Sequence, residues 1–300
     1  VNRVNRGRST VHARETSSWL RSRILIAITP RRQEMRMSIQ MRNFPEGQNA
    51  RITAQLGGYS VLEYERDLSV SPQEAQLSYF ASKMNVRRRQ LVCHLDQFAS
   101  RSVTMQAGAM QWMAGDVQPR TGIHGVGDFA RKLVRGSVTG ESAIKPEYEG
   151  SGIITLEPTY KYILLEQVSN WGGGMVIEDG SYLSSDSAIE QRAVMTTRAS
   201  AQLAGGEGLF NLGLFGNGVV ALESCVPREE LIIADLTDDV LKIDGPLAIA
   251  WSAGLEFTVE RTTKSLIGSA ASGEGLVNVY RGTGRVMFAP VAQGHVADAS

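Results

Sequence analysis

Three stretches of the chain spell one phrase. "GESAIKPEYEGSGIITLEP" begins at Gly140, "GEGLFNLGLFGNGVVALES" at Gly206 and "GEGLVNVYRGTGRVMFAP" at Gly273. Each opens on Gly-Glu and sets a Gly-x-Gly triplet between two alternating apolar runs: Gly150 and Gly152, Gly216 and Gly218, Gly282 and Gly284. Glycine at such points supplies the positive φ that other residues resist, so each phrase reads as a hairpin. A looser phrase surrounds Gly108, Gly180 and Gly245, and the two alternate along the chain. Copies of this length cannot bury their faces alone; they stack or close around an axis.

The expected fold is therefore all-β: three β-sandwich modules in tandem, at about 52–136, 137–202 and 203–290, around a pseudo-threefold axis. The C-terminal hairpin, 273–290, is expected to close the ring beside the first module, near 90–117, which would remove two open sheet edges. Short β-rich segments support the class, among them "YSVLEYE" at 59–65, "QLVCHL" at 90–95, "KYILLEQV" at 161–168 and "LEFTVERT" at 255–262. One helix is expected near 71–84. Ser71 caps it, Pro72 follows, and Glu74 completes a capping box. Leu77, Phe80, Ala81 and Met84 fall on one face, read as a stripe that packs the helix as a lid on the β body.

Charge divides the chain. Formal net charge is zero, but residues 1–36 hold nine arginines against Glu15 and Glu34. Residues 37–300 are thus mildly acidic, and a nucleic-acid surface is disfavoured. The basic head reads as a presequence, as a membrane-surface anchor, or as upstream sequence ahead of a start at Met37, and little fixed structure is expected before residue 40. Localisation follows: cytoplasmic, or mitochondrial if the head is a presequence. The two cysteines, Cys93 and Cys225, make no disulfide framework. No apolar run reaches about 18 residues, so no transmembrane helix is expected.

Four stretches carry a family resemblance: "SYFASKMNVRRRQLVCHL", "GESAIKPEYEGSGIITLEP", "DDVLKIDGPLAIAW" and "LEFTVERTTKSLIGSAASGEGLVNVYRGTGRV". Over roughly residues 52–290 the chain resembles the altered inheritance of mitochondria protein twenty-four family. The resemblance implies a triplicated fold like that of the tryptophan RNA-binding attenuation protein, with units forming a short double-stranded β-helix or sandwich. It carries no catalytic residues to transfer.

Chemistry is thin. Glu141, Glu207 and Glu274 could gather round a cation on a threefold axis; the plainer reading has each bonding backbone N–H groups at a tight entry to its phrase. Arg87, Arg88 and Arg89 follow the helix, where they read as a solvated cap or as a contact for a small anion or RNA. His94 and Cys93 alternate faces on a strand, and no two histidines have metal-ligand spacing, so no metal, cofactor or catalytic residue is expected. "GIHGVGDFAR" lacks the setting of a dinucleotide fingerprint. The reading is a non-enzymatic scaffold or binding protein that works through homo-oligomers, a partner protein or a peripheral membrane. The alternative is a small-ligand or RNA-binding module, which two of Trp112, Trp171 and Trp251 exposed in one cleft would favour.

Overall fold

The structure is a computed structural model that describes residues 39–120, 145–195, 210–245, 247–261 and 276–291. The described residues all belong to one compact unit. Sixteen strands and one α-helix are described, and every ladder between them is antiparallel.

The first group comprises β1 (Ala50–Leu56), β2 (Tyr59–Tyr64), α1 (Ala75–Lys83), β3 (Arg89–His94), β4 (Ser102–Met105), β5 (Met110–Arg120) and β6 (Glu147–Leu156). The second comprises β7 (Tyr162–Gln167), β8 (Met175–Ile177), β9 (Tyr182–Asp186), β10 (Glu190–Met195), β11 (Phe210–Phe215) and β12 (Val219–Ser224). The third comprises β13 (Ile232–Asp244), β14 (Ala248–Ser252), β15 (Glu256–Arg261) and β16 (Leu276–Phe288). One sheet runs β1-β2-β3-β6-β4-β9-β12-β7, with β5 also on β6. The other runs β10-β11-β8-β14-β16-β13, with β15 also on β16. The ends of the larger sheet, β1 and β7, approach each other and nearly close it.

The repeated glycine phrases do not turn the chain back on itself, as the sequence suggests. Gly150 and Gly152 lie within the single strand β6, and Gly282 and Gly284 within β16. Only at Gly216–Gly218 does the strand break, with β11 in one sheet and β12 in the other. The first glycine of each triplet does have positive φ: 131°, 110° and 114° at Gly150, Gly216 and Gly282. In the first phrase the glycines also let two paired strands approach closely. A Cβ on Gly150 would stand 2.0 Å from the carbonyl oxygen of Asp116, and one on Gly152 2.1 Å from that of Ala114. Gly115, directly opposite Gly152, is also at positive φ. At the Gly115–Gly152 pair neither strand carries a side chain, and the two backbones pass in close contact. The second phrase is a true turn. Gly108, Gly180 and Gly245 have φ of 80°, 75° and 67° and link β4 to β5, β8 to β9 and β13 to β14.

The pairing around these bends recurs. The first part of β6 lies between β4 and the end of β5, and its last part between β3 and the start of β5. β11 lies between β8 and β10, and β12 between β7 and β9. The first part of β16 lies between the end of β13 and β15, and its last part between the start of β13 and β14. The closure expected of residues 273–290 is corrected: among the described residues β16 pairs with β13, β14 and β15, and no ladder joins it to 90–117.

Buried apolar side chains gather in three clusters. One centres on Tyr59, Leu91, Val103 and Ile154, one on Trp171, Leu212 and Ile249, and one on Trp251, Tyr280 and Val286. The helix is a second correction. The reciprocal bonds of the capping box form, with Ser71 N–H donating to Glu74 Oε2 at 3.0 Å and Glu74 N–H to Ser71 Oγ at 3.4 Å, but they close the turn ahead of the helix, which starts at Ala75 with Glu74 and not Ser71 at its N-cap. But α1 buries none of its residues, and Leu77, Phe80 and Met84 are 68%, 57% and 77% exposed. Amphipathic spacing fixes which face is apolar and leaves open whether anything covers it.

Replacing Gly150 by Ala adds a clash with backbone to the left-handed strain of about 1–2 kcal/mol, so stability should fall by more than about 3 kcal/mol. Gly108→Ala, with nothing within 4 Å of the added carbon, should cost only the strain, about 1–2 kcal/mol. Urea midpoints of the two variants check the difference.

Candidate functional site

A row of charge crosses the inner face of β1, β2 and β3. In β2, Tyr59 and Val61 point into the core, and the strand's period of two puts Glu63 on that same face. In β3, Leu91 and Cys93 do likewise, which places Arg89 inward. The ladders set Arg51 opposite Glu63 and Glu63 opposite Arg89. Glu63 is 6% exposed and Arg89 2%.

Three guanidinium groups converge on the one carboxylate. Arg89 holds Glu63 Oε2 through Nη2 at 2.8 Å and Nε at 3.0 Å. Arg51 and Arg87 reach Oε1 at 3.1 Å and 3.3 Å. Arg89 also donates to the carbonyl oxygens of Arg87, Tyr160 and Asn85, and its guanidinium lies 3.8 Å from the centroid of the Tyr162 ring. Such a planar, fully bonded fork is what makes arginine tolerable in a protein interior. A bridge between Arg89 and Thr159 fastens the chain ahead of β7 to the start of β3.

Where β1 and β7 diverge, they leave a cleft of about 510 Å³ lined by Arg51, Gln55, Glu63, Arg89, Tyr162 and Arg228, with Leu164 and other apolar side chains between. Arg228 is engaged with Glu166. The lining also carries Glu229, and the donors of Arg89 are all taken by protein acceptors, so of the arginines at Glu63 it is the half-exposed Arg51 that is placed to meet a small anion in the cleft.

Of the arginines expected as a set, Arg87 and Arg89 thus meet at Glu63, and Arg88 turns away. Its guanidinium pairs with Asp67 at 3.3 Å and lies over the Tyr64 ring. The reading of all three as a solvated cap is corrected at Arg89, which the strand carries inward. Glu141, Glu207 and Glu274 lie outside the described residues, as do His124, His295 and the loop "GIHGVGDFAR". Cys93 faces the core, where burial pushes its thiol far up. His94, on the other face, meets Ser60 Oγ at 3.2 Å, and burial lowers its pKa. Trp171 and Trp251 are each 2% exposed, and Trp112 packs edge-on to Phe44 at 4.8 Å. Glu63 and Arg51 were not singled out from the sequence. The signal was there for Glu63: a charge at core parity in "YSVLEYE".

A separate, half-buried acid lies near the third cluster. Burial, then the charge of Asp179, raises the Glu178 carboxyl to about 7. Tyr280, whose hydroxyl is buried with no hydrogen-bond partner, is raised by its own burial and by Glu178.

Two predictions follow from these charges. Glu63→Gln leaves buried guanidinium groups uncompensated and should cost about 3 kcal/mol, whereas Arg51→Ala, whose side chain is 55% exposed, should cost less than about 1 kcal/mol. Chemical denaturation of both distinguishes them. Because the Glu178 carboxyl has a higher pKa folded than unfolded, its contribution to stability is complete below about 4.3 and is lost as pH rises through about 7. Glu178→Gln should remove that decline and gain about 3 kcal/mol at pH 8, read from melting curves across pH.

A protein-family model described as mitochondrial biogenesis AIM24 matches residues 84–291. It therefore takes in Arg87, Arg88 and Arg89 and leaves Arg51 and Glu63 outside the match. An uncharacterised protein of Streptococcus pyogenes serotype M6 is 26% identical over 193 residues, which is 62% of this chain and 75% of that protein. The X-ray crystal structure of a Streptococcus pyogenes protein shares the fold, with a TM-score of 0.51 at 22% identity, over 70% of this chain and 91% of that one.

Proposed function

The chain belongs to the mitochondrial biogenesis AIM24 family, and from that premise we propose that it is a non-enzymatic scaffold of three like β modules, working by assembly with copies of itself or with a protein or membrane-associated partner. The observation that carries this reading is the recurrent pairing. In each module a first strand (β3, β7, the start of β13) and a third (β5, β9, β14) flank the strand after the glycine bend. A second strand (β4, β8, the end of β13) and a fourth (the end of β5, β10, β15) flank the strand before it. One scheme written three times, with buried apolar clusters and no convergent set of catalytic side chains among the described residues, favours a structural role.

The arginine cleft favours a second reading, a module that binds a small anion. The RNA form of that reading is less supported, since Trp171 and Trp251 are buried and offer no stacking platform. Localisation stays as the sequence reading has it, cytoplasmic or mitochondrial. No described helix is long and apolar enough to cross a membrane.

Native mass spectrometry of the full chain separates the readings. Assembly with copies of itself predicts more than one subunit, assembly with another partner a single one, and neither predicts a retained small molecule. A monomer holding a stoichiometric anion that is lost in Arg51→Ala, whose side chain lines the cleft and is half exposed, would overturn the scaffold reading in favour of the cleft.

A further inference from the structure

The two junctions between successive modules are built alike. β4 lies beside β9, with Thr104 opposite Ser185, and β8 lies beside β14, with Val176 opposite Trp251. Each time, the second strand of one module joins the third strand of the next. The residues correspond as well as the strands. Thr104, Val176 and Lys242 stand opposite Glu147, Gly213 and Val279, each at the same distance before a glycine bend. Met113, Ser185 and Trp251 stand opposite Ile154, Val220 and Val286, each at the same distance after one.

Two edges are left over. The second strand of the third module, at the end of β13, and the third strand of the first module, at the start of β5, have no ladder on their outer sides among the described residues. The β13 edge keeps the apolar alternation of the joined second strands. Val103, Met105, Met175 and Ile177 are wholly buried at the two existing junctions, and Leu241 and Ile243 hold the matching positions in β13. Val240 and Met113 are 47% and 40% exposed. A bare pair of complementary edges is what proteins ordinarily cover or pair.

We propose that a second copy of this chain fills the place. β13 of one copy adds antiparallel to β5 of the next, with Lys242 opposite Met113, Leu241 opposite Ala114 and Ile243 opposite Trp112. The contact is head-to-tail, so each copy offers one edge of each kind and the assembly grows into a ring or a filament. This rests on the module reading and names the partner within it.

Disulfide trapping in the full chain tests the register. The background is Cys225→Ser; Cys93 has no exposed surface. Met113→Cys and Lys242→Cys chains, mixed and oxidised, should give mostly linked heterodimers, and neither alone should dimerise through these sites. A chain carrying both should give a ladder of linked species. A double variant that forms only an internal link would overturn the proposal, because the edges would then meet within one molecule. Absence of any link would overturn it too. Thr104→Cys with Ser185→Cys, at a junction within the chain, must link internally. If that pair also fails, the module reading falls; if it links and Met113 with Lys242 does not, only the second copy does.

Discussion

Backbone packed against backbone at the glycines that β5 and β6 share is the constraint on which the rest of the first module depends. At Gly115, Gly150 and Gly152 the space of a missing Cβ is filled by a carbonyl oxygen of the partner strand. Two long strands can therefore bend as one ribbon, and β5 and β6 stay hydrogen-bonded through the corner. Without that bend, a ribbon of this length would run past the core it has to wrap. With it, the inner faces of β3, β4, β5 and β6 converge on one cluster, from Leu91 to Ile154.

The same bend shows what the residues disclosed and what they withheld. The phrases, their order and the need for positive φ were legible, because glycine in that pattern is required by backbone geometry. That the chain runs on through Gly150 was not. A hairpin and a shared bend use the same residue for the same dihedral, and only the partner strand, many residues away, decides between them. The helix fared in the same way. Ser71 and Glu74 act within one turn, so the capping box was readable, while the fate of Leu77 and Phe80 depended on a surface that spacing cannot describe. Arg87 and Arg89 stand out in the sequence as a basic run, but the carboxylate that collects them lies across a ladder in β2.

Glu63 and its arginines tie the N-terminal hairpin to the body. Arg51 comes from β1, Glu63 from β2 and Arg89 from β3, and Arg89 is braced by Tyr162 of β7. Electrostatics here works as a clamp across the two ends of a sheet that does not hydrogen-bond shut. Its cost in desolvation is offset because every donor on the buried Arg89 has an acceptor.

The two sheets are not two bodies. The first group of strands lies wholly in one and the third group wholly in the other, but β7, β9 and β12 belong to the first sheet while β8, β10 and β11 belong to the second. The middle of the chain is thus threaded back and forth between them like a lacing. Neither sheet can be peeled away while the other keeps its strands, and melting should be all-or-none over most of the molecule, with no half-folded stage that a chaperone or protease could seize.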